Sequence, residues 1–348
     1  LVMVYATPPI QLNRGSSMVD DIALSVRDLK TYLYTNNRCN KAINGVSFNV
    51  LKGKTLCIVG ESGCGKSITA LSIMQLLPDL SRIEDGGITY FSEKGPMRLD
   101  QLPRKGVEIR KIRGAEIAMI FQDPMTALNP VFTVGYQIAE SLRQHSVLND
   151  KEIKLKVIDL LHTMGIPMPE VRMNEFPHQF SGGMRQRVMI AIAMSCNPKV
   201  LIADEPTTAL DVTTQAQIFT LMDKLKQEHK TAIMLITHDM GVVAELADNV
   251  AVMYMGNIVE AGTVEDVLRR PKHPYTRALL ASIPILGRGR QQNIKAIRGS
   301  TPDSYDRPKG CSFAPRCDYA TQACDEMPDE IYISATHSVR CSQLEAIS

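Results

Sequence analysis

Nowhere in its 348 residues does the chain carry an uninterrupted apolar run of about 18 or more, so no membrane-spanning helix is read. Strong charge of either sign is also missing. Lys and Arg number 39 against 37 Asp and Glu, and a formal +2 is too near neutral to argue for nucleic acid as a partner. Tryptophan is absent; the remainder, 44% hydrophobic and 22% charged, is ordinary for a globular protein. The opening LVMVYATPPIQLNRGSSM lacks a basic start, an apolar core and a small-residue cleavage site, so no signal peptide is read. Residues 1–20 are expected to be a disordered leader, with Met18 a candidate start. Without an export signal the chain is expected in reducing cytosol, where stable disulfides are rare. The length exceeds the ~250–300 residues at which single cores stop growing, which implies two or more units.

What is present begins with TLCIVGESGCGKSITALSIMQLL. Thr55–Val59 reads as a short buried strand, and Ser67–Leu77 carries apolar residues at helical spacing. Between them, Gly60 to Ser67 fits the P-loop pattern. Gly60, Gly63 and Gly65 let backbone N–H groups, including those of Ser62 and Cys64, turn inward around phosphate oxygens, and the helix N-terminus adds positive potential. Lys66 is expected to bridge the β and γ phosphates and the Ser67 hydroxyl to ligate Mg2+. Cys64 reads as a small filler.

Downstream, KVLIADEPTTALD is a hydrophobic strand ending in two acids. Asp204 can hold Mg2+ and Glu205 can polarise an attacking water. A third element, FPHQFSGGMRQRVMIAIAMS, sets Ser181, Gly182 and Gly183 at the start of a helix, a second Gly-rich anion site. Two cradles make sense if the second grips the nucleotide of a neighbouring subunit.

With these motifs the chain resembles the ATP-binding cassette (ABC) family, whose signature motif completes the partner's site in a head-to-tail dimer. The resemblance implies an α/β fold: a P-loop NTPase ABC cassette with a RecA-like core, antiparallel β and helical subdomains, and a small Cys-rich C-terminal extension. It implies that Gln122 in MIFQDP senses Mg2+, that Asp211 is the D-loop aspartate, and that His238 in MLITHDM contacts the γ-phosphate. Family members stack adenine on an aromatic residue upstream of the P-loop; Tyr34 is preferred on spacing, with Tyr32 the alternative. One departure is Met184, where the signature usually has glutamine.

LNPVFTVGYQI and HPYTRALLASIP are similar to the oligopeptide, dipeptide and nickel importer branch. The expected divisions are an ATPase domain at 21–262, its helical subdomain at about 123–185, and an extension at 263–348. The extension holds Cys311, Cys317, Cys324 and Cys341, separated by five, six and sixteen residues. In a cytosolic chain metal binding outranks disulfides. Structural zinc favours tighter pairs, so the spacing suits a [4Fe–4S] cluster better, with zinc and free or disulfide thiols as the alternatives. The importer resemblance points to the cluster as well. His337 reads as a solvated loop histidine, and Cys39, Cys57 and Cys196 as packing residues.

The reading is an ATP-hydrolysing motor of a peptide importer at the cytoplasmic face of the cell membrane. Resemblance implies a paralogous ATPase subunit, two permeases and an extracytoplasmic substrate-binding protein as partners, with no nucleic acid. The alternatives are a soluble ABC ATPase of DNA repair or translation, a non-hydrolysing regulatory cassette, and an importer of nickel chelates.

Overall fold

The computed structural model describes residues 21–35, 38–208, 210–282 and 297–347; the expected leader at 1–20 lies outside them. Its strands, in chain order, are β1 (Ile22–Thr35), β2 (Arg38–Leu51), β3 (Thr55–Val59), β4 (Ser81–Ser92), β5 (Gly95–Arg98), β6 (Ile117–Ile120), β7 (Val200–Asp204), β8 (Ala232–Thr237), β9 (Asn249–Tyr254), β10 (Asn257–Thr263), β11 (Ile331–Tyr332) and β12 (Ser338–Val339). They form two sheets. One is antiparallel, in the order β2-β1-β4-β5; the other runs β11-β12-β10-β9-β3-β8-β7-β6.

In the larger sheet β9, β3, β8, β7 and β6 are parallel. Strands buried on both faces must be apolar throughout, and TLCIV, VLIAD and AIMLIT are buried at every position. Each such aliphatic side chain contributes roughly 1.5–3 kcal/mol on burial. β3 lies between β8 and β9, so the segment that follows it emerges at the carboxyl edge beside the ends of β7 and β8. That edge is where ligands collect in open parallel sheets.

The helix after β3 spans Lys66–Ile73, four residues shorter at its end than the apolar spacing suggests. Gln75 turns left-handed at φ 53°, and paired bonds from Gln75 N–H to Ser72 O (3.1 Å) and Leu76 N–H to Leu71 O (2.9 Å) close the end. Pro78 follows, as it commonly does after such a stop.

Between β6 and β7 the chain is helical. Helix Val134–His145 buries Val134, Ile138, Ala139 and Leu142 on one stripe, and Asp150–Thr163 buries Ile153, Val157, Leu160 and Leu161. The first is capped by Thr133 and the second by a reciprocal Asn149–Glu152 box. These helices pack on Gly182–Met194 in one core with the parallel sheet.

The last segment does not stand apart. β12 pairs antiparallel with β10, matching Ala261 to Ser338 and Glu260 to Val339. Phe313 joins the main core, whereas the tail's separate cluster is only Val339, Cys341 and Ile347 with Leu344 against it.

Candidate active site

Gly60, Gly63 and Gly65 adopt φ of 153°, 78° and 108° at the carboxyl end of β3. A Cβ at Gly60 would collide with the Met253 carbonyl oxygen, and one at Gly65 would stand 2.5 Å from Ala42 O. Only glycine satisfies both the backbone and the space. Lys66 is buried and curls back on the loop, its Nζ donating to Gly60 O (2.8 Å) and Glu61 O (3.0 Å). The buried Cys64 thiol lies 3.8 Å from the same ammonium, and burial holds its pKa above the usual thiol range. It is a filler, as the sequence reading has it.

Asp204 ends β7 as a buried carboxylate whose Oδ1 has no hydrogen-bond partner. Burial pushes its pKa up, and the neighbouring Ser67 hydroxyl opposes that shift. Glu205 then turns into the left-handed region at φ 46°, its N–H bonded to Ile236 O at 2.9 Å. Such a conformation costs a non-glycine residue about 1–3 kcal/mol and persists where surroundings enforce it. Here it aims the carboxylate across the sheet edge.

Three side chains meet that carboxylate. Gln122, two residues beyond β6, donates Nε2 to Oε2 at 2.9 Å. Thr208 donates its hydroxyl to the same oxygen at 3.2 Å. His238, just past β8, sets Nδ1 3.1 Å from Oε1. An ionised carboxylate only accepts, so Nδ1 carries the proton in this contact and Nε2 stays open to solvent. The ends of four adjacent strands thus bring Ser67, Gln122, Asp204, Glu205 and His238 to one edge.

The chain has relatives among known proteins. Residues 43–208 match the ABC transporter family model, and 259–324 match the oligopeptide/dipeptide transporter C-terminal region. A probable peptide ABC transporter ATP-binding protein of Sinorhizobium fredii is 49% identical over 322 residues, 92% of this chain and 95% of the relative. The dipeptide transport ATP-binding protein DppD of Bacillus subtilis is 48% identical over 320 residues, 91% of this chain and 93% of its own. The chain belongs to the ABC transporter ATP-binding family. Among solved structures, the cassette MJ0796 in a dimeric post-hydrolysis state bound to ADP and Pi superposes with TM-score 0.61 at 25% identity, over 69% of this chain and 98% of that one.

In this ABC cassette Ser181 is the N-cap of helix Gly182–Met194, its hydroxyl accepting Met184 N–H at 3.3 Å. Gly183 packs close to helix Val212–His229: a Cβ would stand 2.7 Å from Thr214 Cγ2. Met184, which cannot supply the amide of a glutamine, instead packs against the core. Asp211 caps the same Val212–His229 helix through Thr214 N–H (2.9 Å), which holds its pKa below the ordinary carboxylate value.

The two tyrosines separate. Tyr34 donates to Glu84 Oε1 and carries the Arg82 guanidinium 4.8 Å over its ring. Tyr32 lies under Lys41, 5.6 Å from the ring centroid. Lys41, Ser62, Gly63, Thr301 and Arg307 line a cavity of about 210 Å³ beside the P-loop. Neither tyrosine lines that cavity itself; Tyr32 adjoins it through Lys41.

Burial, with smaller contributions from the neighbouring Cys311, Cys341 and Cys324, pushes the Cys317 thiol up to about 11. Cys317 accepts Tyr319 N–H and Cys341 accepts Gln343 N–H, each at 3.4 Å. Among the described residues no three His, Cys, Asp or Glu side chains converge as ligands of a metal ion. His337 corrects the sequence reading. It is 3% exposed, and its Nε2 stands 2.8 Å from Glu260 Oε1. Pairing of β12 with β10 carries it off the surface and against that buried carboxylate. Of the remaining cysteines only Cys57 is fully buried; Cys39 and Cys196 are half-buried.

Sequence reasoning missed Thr208, Glu61 and Arg316. Thr208 had a usable signal, three residues after Glu205 in a turn. Glu61 and Arg316 are joined across 255 residues, and no local pattern announces that.

Proposed function

We propose that this chain is the ATP-hydrolysing subunit of a peptide importer, working at the cytoplasmic face of the membrane as one of two paired cassettes. The observation that carries the reading is the convergence of Gln122 and His238 on Glu205 beside the P-loop. Lys66 exchanges the loop carbonyls for β- and γ-phosphate oxygens, while the loop's N–H groups hold the remaining charge. Ser67 and Asp204, with Gln122 reaching from the side, would hold Mg2+; the orphaned, buried Oδ1 of Asp204 fits a cation ligand. Bound there, the ion supplies positive charge against the phosphates. Glu205 accepts a proton from the attacking water, oriented by Gln122, and the exposed ring of His238, once doubly protonated, can keep Nδ1–H on Glu205 while Nε2–H donates to the γ-phosphate.

Ser181, Gly182 and Gly183, with Asp211, form the face offered to the nucleotide of the second cassette, a paralogous subunit. Two permeases and an extracytoplasmic substrate-binding protein complete the assembly. Permease docking is supported by Val131, Phe132 and Tyr136, large apolar side chains left exposed on the helical region, the two rings stacked at 4.8 Å. Peptide as cargo is supported by the names of the relatives and the matched C-terminal region. The division into a cassette at 21–262, with helices at about 123–185, and an extension from 263 follows the same reading. In vesicles holding the permeases and partner ATPase, binding protein loaded with peptide should accelerate phosphate release. An unchanged rate would remove the importer reading.

We further propose a [4Fe–4S] cluster at Cys311, Cys317, Cys324 and Cys341. The support is the chemistry of the donor set, four cysteines in one tail segment, with backbone N–H groups reaching the sulfurs of Cys317 and Cys341 in the way that tunes cluster sulfurs. Protein purified without oxygen should be brown and carry about four irons. Colourless, iron-free protein refutes it.

A further inference from the structure

The P-loop of this cassette is gripped from outside the cassette. Glu61, the residue after Gly60, donates its backbone N–H to the Tyr275 hydroxyl at 2.8 Å. Its carboxylate receives two bonds from Arg316, at 2.6 and 3.0 Å, and a third from the Thr301 hydroxyl at 3.2 Å. Its carbonyl accepts Lys66 Nζ at 3.0 Å. Every polar group of Glu61 is therefore committed, and three of its partners lie beyond residue 263.

Arg316 is equally committed. Its side chain is 5% exposed. Nε donates to Arg298 O at 2.9 Å and Nη1 to the Tyr254 hydroxyl at 3.2 Å. The rings of Tyr254 and Phe313 flank the guanidinium at 5.9 Å. Tyr254, Tyr275 and Phe313 themselves pack ring to ring at 4.6–5.3 Å. Arg316 ends the short turn Ala314–Arg316 that lies between Cys311 and Cys317. A two-pronged arginine–carboxylate pair fixes orientation as well as distance, and losing Glu61 strands Arg316 as a buried charge, while losing Arg316 frees the half-buried Glu61 carboxylate.

We propose that Arg316 is a positioning residue for the phosphate cradle: through Glu61 it holds the P-loop in shape, so nucleotide affinity depends on the folded state of the cysteine-bearing turn at 311–317. The proposal rests on the reading that the P-loop takes ATP. Coupling between two sites is reciprocal, so nucleotide in the cradle must in turn steady that turn.

The test uses the full chain and Mg·ATP. Arg316→Gln should raise both Kd and KM about 10-fold, a typical size for coupling between sites. Its kcat should change by less than about twofold, since the catalytic side chains are untouched. Arg316→Lys should recover part of the loss, because it keeps the charge without the fork. The double variant Glu61→Gln/Arg316→Gln should be no worse than the poorer single variant. In wild type, saturating Mg·ATP should slow amide exchange across 311–317. Wild-type affinity in folded Arg316→Gln, additive losses in the double variant, or exchange at 311–317 indifferent to Mg·ATP would each overturn the proposal. If Arg316→Gln does not fold, Glu61→Gln decides, since it leaves the extension's own residues intact and an unchanged Kd there is equally fatal. Wild type that binds no Mg·ATP defeats the nucleotide reading, and this proposal falls with it.

Discussion

The chain has two glycine-rich turns at helix N-termini, and they differ in how complete they are. The P-loop is walled on several sides: strands β3 and β9, the β2 backbone at Ala42 and the extension hold it, and its lysine is buried, with Ser62 and Gly63 exposed at its mouth. The Ser181 turn is open. Ser181 and Gly182 are exposed, and the serine hydroxyl caps its own helix. The same local chemistry thus yields one pocket and one bare face. A loop becomes a pocket only when other elements wall it in, and beside the second turn, among the described residues, stand Leu210 and the helix beginning at Val212.

The sharpest break in that contrast is chemical. Glu205→Gln should lower ATP turnover by at least about 100-fold, the usual loss for a general base, with Mg·ATP affinity kept. Phosphate release and equilibrium binding on the same preparation check it, and residual turnover near wild type would reassign the base. Next comes the open turn. In the Glu205→Gln background, Ser181→Arg should abolish ATP-dependent pairing of cassettes by light scattering and leave each chain's own nucleotide affinity unchanged. Reduced affinity in the isolated chain would mean that the turn serves its own pocket.

A smaller effect separates the tyrosines. Tyr32→Ala should weaken Mg·ATP binding about 10-fold, in keeping with the ~1–3 kcal/mol of a stacked base, and Tyr34→Ala by far less. The reverse order would restore Tyr34. The last prediction, without effect at neutral pH, concerns the start of the extension. Burial drives His273 down to about 3, below its ordinary value of 6.5. The unfolded chain binds that proton more readily, so the contribution to stability is full above pH 6.5 and fades as pH falls toward 3. His273→Asn, which keeps an N-cap for the helix at Pro274, should flatten the denaturation slope in that window by about 1.4 kcal/mol per pH unit. An unaltered slope would mean that other groups carry the acid sensitivity.

Much of the site was legible because its residues sit in runs. Gly60 to Ser67 and Asp204–Glu205 each follow an apolar strand, and hydrophobic continuity locates the strand end where a ligand can be reached. The helix after the P-loop was overextended because its stop uses a left-handed glutamine, and propensity gives no warning of that. Tyr34 was preferred on spacing alone, and cross-strand neighbours such as Arg82 and Lys41 then drew the two tyrosines into different settings. His337 read as a loop residue because its partner, Glu260, lies 77 positions away.

By itself the sequence determined the buried strands, the glycine-rich turn after β3 and the acidic strand end, since each depends on periodicity or chirality within about a dozen residues. Only tertiary structure decided which side chains meet Glu205, and that residues beyond 263 clasp Glu61. Contacts between segments hundreds of residues apart arise when separate apolar faces pack into one core, and no short window of sequence carries that geometry.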